Sequence, residues 1–159
     1  NRAPGLDRSF AAQRWKNMDS KLWLEAGDEA MDKEFHGHYD IWGGDIDPAA
    51  VELAKHNAEL AGVEDCIRFE VADAGKFHRD SEYGQLVTNP PYGERLLEKK
   101  EAEELYRVFG AALRDLPPKW RVLVLSSHTE FERCFGKQAD KKRKLYNGMI
   151  KCDVFMYGK

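Results

Sequence analysis

No two of the three cysteines, Cys66, Cys134 and Cys152, stand at Cys-x-x-Cys spacing. That excludes a zinc knuckle and a disulfide framework as organising devices and fits a reducing cytoplasm. No apolar run approaches the ~20 residues that a bilayer-crossing helix needs. No signal-peptide pattern opens the chain, and no repeat, low-complexity tract or linker divides it. Surplus positive charge is missing as well: the formal net charge is -3, a poor balance for a free-standing binder of phosphate backbones. What is present is enough apolar material for a core. Hydrophobic residues make up 42% and aromatics 11% of 159 residues, which excludes a disordered class and fits one soluble, cytoplasmic domain over 1–159.

Strand-like and helix-like runs alternate, the pattern of a mostly parallel sheet with helices on its faces. Tyr39–Gly43 reads as a strand. Asp47 is then a helix N-cap, with Pro48 at the first helical position and Val51, Ala54, Ala58 and Ala61 at helical spacing up to Gly62. Ile67–Val71 and Gln85–Thr88 read as two more strands. From Glu101 a helix presents Leu105, Phe109, Ala112, Leu113 and Leu116, ended by Pro117-Pro118. Arg121–Ser126 is apolar enough to predict a strand buried on both faces, and a short helix follows near Glu130–Phe135. Lys142–Tyr146 and Ile150–Tyr157 flank Asn147-Gly148, the signal of a two-residue hairpin. Near the start, Phe10, Trp15, Leu22, Trp23 and Met31 predict a helix and loop packed on the sheet, while Trp42, Trp120 and Phe155 read as core.

Asn89-Pro90-Pro91-Tyr92, directly after the third strand, is the segment that carries chemistry. A strand ending this way brings two acceptors to one point: the Asn89 side-chain oxygen and a backbone carbonyl held rigid by proline. Both suit the two hydrogens of a planar amine, whose lone pair is delocalised until fixed acceptors localise it and stabilise the charge that develops on transfer. Tyr92 offers a face on which a base can stack. Ligands of such sheets sit beyond the carboxyl ends of the strands, where two acidic residues arrive. Asp45 suits a pair of ribose hydroxyls, with Ile46 packing on an adenine ring. Asp73 suits the adenine amino group, with the Ala74 amide meeting a ring nitrogen.

Lys141, Lys142, Arg143 and Lys144 form a basic cluster with two readings, a phosphate-backbone contact or an edge strand guarded by lysines. His36-Gly37-His38 has the spacing of a two-ligand metal arm but no third ligand, so a surface loop is expected and no metal. His128, beside Ser126-Ser127, lacks the Gly-x-Ser-x-Gly elbow of a hydrolase.

Gly44-Asp45-Ile46-Asp47-Pro48, Val71-Ala72-Asp73, Val87 to Leu96 around the Asn-Pro-Pro-Tyr turn, and Lys142 to Gly148 occur in a characteristic order. In that order the chain resembles S-adenosylmethionine-dependent RNA methyltransferases of the class I fold. It looks like the bacterial branch that methylates the exocyclic amine of guanine in 23S ribosomal RNA, whose members are often labelled adenine-specific DNA methylases. Ala3 to Leu6 and Arg8 to Phe10 extend the likeness over most of the chain. The resemblance implies a Rossmann-like methyltransferase sheet with an antiparallel C-terminal hairpin and S-adenosylmethionine as cofactor. It implies Asp45 on the ribose, Asp73 on adenine, Asn89 and Pro90 on the target amine, and Tyr92 on a flipped base. Nothing before Tyr39 matches the family's first strand and glycine-rich loop, and its upstream RNA-binding module, the THUMP domain, is absent too. The expectation is a C-terminal portion of a longer enzyme acting on ribosomal RNA. An adenine amine in DNA or RNA, a glutamine amide in protein, and a catalytically silent RNA-binding module stay open as alternatives.

Overall fold

The structure is a computed structural model and describes residues 3–6, 8–35, 37–93 and 96–158. His36, and Glu94 and Arg95 within the segment Val87 to Leu96, lie outside it. The chain forms two compact units, Asn1–Val71 and Ala72–Lys159.

In the first unit, helix α1 (Ser20–Asp32) is capped by Asp19, whose side chain accepts from the Lys21 amide at 2.9 Å. Phe10 stacks on Trp23, yet α1 has no buried residue, so the expected packing of this helix on the sheet is not seen within the unit. Strand β1 (Ile41–Asp45) pairs in parallel with β2 (Ile67–Val71), Ile41 opposite Ile67 and Asp45 opposite Val71. β1 therefore begins two residues later than expected and ends on Asp45 itself. Between the strands runs α2 (Pro48–Leu60), capped as expected by Asp47, whose side chain accepts from Ala49 N at 2.9 Å. Gly62, at φ +62°, provides the left-handed stop. Trp42 is not core: it is 44% exposed, with the Arg68 guanidinium over its ring and its Nε1 donating to Asp40. Two five-residue strands and one helix cannot bury an indole, and only Val51 and Ala58 of α2 are buried.

The second unit holds a four-stranded sheet in the order β3 (Tyr83–Thr88), β4 (Lys119–Ser126), β6 (Ile150–Tyr157), β5 (Lys141–Asn147). β3 and β4 are parallel, and both pairings of β6 are antiparallel. A parallel arrangement closing on an antiparallel pair is thus borne out. β6 inserts between β4 and β5, which leaves β5 on the edge. The turn differs by one residue from expectation. Asn147 pairs with Ile150, so Gly148 and Met149 form the turn, and only Gly148 has a positive φ (+61°). Glycine with positive φ at the first central position is the pattern of a type II′ turn.

Helices α3 (Leu96–Ala112) and α4 (Phe131–Phe135) cover one face of this sheet. Tyr106, Phe109, Val122, Val124, Phe131, Phe135, Phe155 and Tyr157 make the core, so Phe155 is placed as expected. The buried stripe of α3 is Ala102, Tyr106 and Phe109, continued by Leu113 and Leu116, one helical position away from the expected face at Leu105. β4 is not buried on both faces: Val122, Val124 and Ser126 are buried and alternate with half-buried Leu123 and Leu125. Trp120 is half-buried, set edge-on to Phe77, its Nε1 donating to the Ser81 carbonyl at 2.8 Å. Within its own unit each of β1 and β3 has a strand partner along one edge only, among the described residues.

Candidate active site

β3 delivers Asn89 at its carboxyl end, and Pro90 and Pro91 remove two backbone donors and stiffen the exit. Three contacts then hold the loop. The Tyr92 hydroxyl donates to Asn89 Oδ1 at 2.7 Å. Asn147 Nδ2, from the end of β5, donates to that same hydroxyl at 3.2 Å. From beneath, the Tyr106 hydroxyl donates to the Pro91 carbonyl at 2.5 Å. Gly93 closes the loop at φ +68°, with Glu98 and Lys99 so near that a Cβ there would lie 2.6 Å from the Lys99 Cα. Only glycine meets both demands.

Tyr106 is fully buried and heads a polar cluster under the loop. Its hydroxyl lies 3.3 Å from Ser126 Oγ, which also accepts from the backbone amide of His128 at 3.1 Å. The His128 ring stands edge-on to Tyr106 and brings Nε2 to 3.3 Å from Glu103 Oε1, while Nδ1 accepts from Glu130 N at 3.1 Å. Ser126 and His128 therefore meet through backbone, as a turn, and not as a nucleophile with its base. Burial raises both phenols above the ordinary tyrosine value, Tyr106 opposed by the bond with Ser126 and Tyr92 opposed by the bond from Asn147. Both hydroxyls stay protonated donors at neutral pH.

Beside the loop opens a cavity of about 380 Å³ lined by Pro91, Tyr92, Gly93, Glu98, Glu101, Ala102 and Leu105. That volume lies within the range of small-ligand sites, and carboxylates at its rim suit an amine better than a phosphate. A more open hollow, about 560 Å³, lies at the amino ends of β3 and β4 by Tyr83 and Lys119. Ligands of such sheets sit at the opposite, carboxyl ends.

The expected cofactor residues fall in both units. In the first, Asp45 ends β1 exposed, its Oδ1 accepting from Asp47 N at 2.9 Å, and Ile46 beside it is 69% exposed. A carboxylate so oriented, next to an uncovered apolar side chain, fits a ribose and an adenine edge. In the second, half-buried Asp73 caps a 3-10 turn over Ala74–Lys76 by accepting from Gly75 N at 2.9 Å. Its second oxygen keeps its own lone pairs for a ligand donor. Lys141, Lys142, Arg143 and Lys144 all lie exposed on edge strand β5, a placement that suits both readings, edge protection and phosphate contact. Lys142 is also committed to Glu132 at 2.8 Å. No group of three or more metal-ligating side chains occurs among the described residues.

A family model described as RMKL-like, methyltransferase domain, matches residues 1–155. The chain belongs to this family. It is 42% identical over 161 residues to "Putative RNA methyltransferase YpsC" of Bacillus subtilis (strain 168), covering 99% of this chain and 41% of that protein. Identity to ribosomal RNA large subunit methyltransferase K/L of Shewanella baltica (strain OS185) is 39%, over 98% of this chain and 23% of that protein. Among solved structures, SMU.472 complexed with SAH superposes with a TM-score of 0.91 at 39% identity, over 98% of this chain and 42% of that one. The family expected from the motifs is thus borne out, as is its Rossmann-like α/β fold. The chain spans less than half the length of these relatives.

Tyr106 and the bonding role of Asn147 escaped sequence reasoning. A tyrosine within the buried stripe of a helix was the available signal, because a buried phenol needs a partner for its hydroxyl.

Proposed function

We propose that this chain is the catalytic portion of a longer cytoplasmic enzyme that methylates the exocyclic amine of guanine in ribosomal RNA, with S-adenosylmethionine as donor. The observation that carries the reading is the acceptor loop, with Asn89 Oδ1 held by the Tyr92 hydroxyl and the Pro91 carbonyl anchored by Tyr106. When bound, the cofactor supplies an electrophilic sulfonium methyl group. Asn89 Oδ1 and the Pro90 carbonyl accept the two amine hydrogens, localise the nitrogen lone pair and stabilise the positive charge that grows on it. Pro91 keeps the loop stiff, and the Tyr92 ring stacks on the flipped base. Asp45 and Ile46 take the ribose and adenine of the cofactor, Asp73 and the Ala74 amide the adenine edge. Lys141, Lys142, Arg143 and Lys144 face the phosphate backbone, together with an RNA-binding module elsewhere in the same polypeptide. The reading is supported by family membership and by relatives named for RNA substrates.

Nucleoside mapping of ribosomal RNA from cells with and without the gene tests it. Loss of one N2-methylguanine is expected. Loss of an N6-methyladenine instead, or an unchanged map, overturns the guanine assignment.

A further inference from the structure

The hydroxyl of Tyr92 has no part in stacking, yet it makes two hydrogen bonds. It accepts from Asn147 Nδ2 at 3.2 Å and spends its single proton on Asn89 Oδ1 at 2.7 Å. Residue 147 is 55 positions from residue 92 and sits where β5 meets the hairpin turn, so two distant parts of the chain converge on one atom. We propose that Asn147 is a positioning residue for amine methylation, acting through the Tyr92 hydroxyl to fix which way the Asn89 amide faces; this rests on the function proposed above.

The physical need is specific to an asparagine acceptor. Its side chain ends in an oxygen that accepts and a nitrogen that donates, nearly the same in size. Asn89 is exposed and follows a strand end, so packing alone does not choose between the two orientations. A flipped amide turns its NH2 toward the substrate NH2, donor against donor. The Tyr92 proton removes that choice, because only Oδ1 can receive it. One lone pair of Oδ1 is then taken and the second remains for the substrate hydrogen. The hydroxyl's own direction needs setting too, since a phenol can turn its proton to either side of the ring. By occupying the acceptor side of that oxygen, Asn147 sends the proton to Asn89. A bond received by a hydroxyl also strengthens the one it gives. The acceptor is thereby oriented before substrate arrives, which is where fixed dipoles have most effect on rate.

Methyl transfer to ribosomal RNA by the full-length protein is compared for the wild type, Tyr92→Phe, Asn147→Ala, Asn147→Asp and the double variant Tyr92→Phe/Asn147→Ala. Each single change is expected to lower kcat about tenfold, the rate equivalent of one ordinary hydrogen bond, with KM little changed. Asn147→Asp keeps the shape and loses the donor, so it falls with Asn147→Ala and not with the wild type. The double variant is no slower than Tyr92→Phe, because both changes break one relay. Independent losses that multiply, or Asn147→Asp at the wild-type rate, overturn the proposal. A second measurement needs no substrate. In tyrosine labelled at Cζ, the Tyr92 phenol titrates at higher pH in Asn147→Ala, since the lost donor had favoured the phenolate. An unmoved titration overturns the relay even if the full-length protein methylates no ribosomal RNA, an outcome that refutes the functional reading separately.

Discussion

At the scale of single residues, Asn89 is a group whose loss removes an acceptor without disturbing the core, because it is exposed and its side-chain oxygen bonds the Tyr92 hydroxyl at the surface. Asn89→Ala is expected to lower kcat on the order of a hundredfold. S-adenosylmethionine affinity, read by calorimetry on the same full-length protein, stays within error; retention of more than half the wild-type rate removes Asn89 from the mechanism. Tyr106 behaves differently, as a buried strut. Tyr106→Phe leaves the Pro91 carbonyl without its partner, and unfolding by urea should show a loss of about 1–3 kcal/mol at neutral pH. The pH dependence has a definite sign. Burial raises the Tyr106 phenol, so its stabilising contribution is complete below the ordinary tyrosine value near 10 and fades as pH rises through the raised one. Tyr106→Phe should therefore flatten the alkaline limb of the stability profile. Neither tyrosine hydroxyl is visible as a strut in the sequence, since residues 92, 106 and 147 share no spacing that a helix or strand would impose.

Between elements, two contacts decide how α4 is held. Gly110 of α3 lies so close to α4 that a Cβ there would stand 2.0 Å from the Phe135 carbonyl oxygen. Gly110→Ala forces the helices apart and is expected to cost about 1–3 kcal/mol, as overpacking does, read as a lower urea midpoint with an unchanged slope. On the other side Glu132 accepts from Lys142 Nζ and from the Ala139 amide, both at 2.8 Å, joining α4 to edge strand β5. The bond from Lys142 holds the Glu132 carboxyl below the ordinary glutamate value. A depressed carboxylate contributes stability that is present above its unfolded value near 4.5 and is lost as pH falls through the lowered one. Glu132→Gln should remove that part of the acid-side slope; a slope identical to wild type between pH 5 and 3, by thermal unfolding, counts against the assignment.

For the chain as a whole, a net charge of -3 means that the RNA contact proposed above needs a local basic surface. On β5, Lys142 is tied to Glu132, so of the four proposed phosphate contacts Lys141, Arg143 and Lys144 are the ones to test. Replacing these three by alanine should flatten the slope of log affinity against log salt by about 2–3, with little effect on S-adenosylmethionine binding. An unchanged slope assigns β5 to edge protection alone. The sequence by itself determined those features whose cause is local. Asp47-Pro48 caps α2 because cap and N1 lie side by side, the apolar alternation at Ile67–Val71 makes a strand wherever it lies, and Asn-Pro-Pro-Tyr brings its own rigidity. Registers were less legible, by two residues at β1 and one at the hairpin turn, because ladder pairing and not propensity chooses where a strand stops. Only tertiary structure decided that Trp42 is exposed, since burial depends on how much surface its unit can cover. It also decided that residues 89, 92, 106 and 147 meet at one loop. Their hydrogen bonds join positions brought together by packing, and no one-dimensional period records such a convergence.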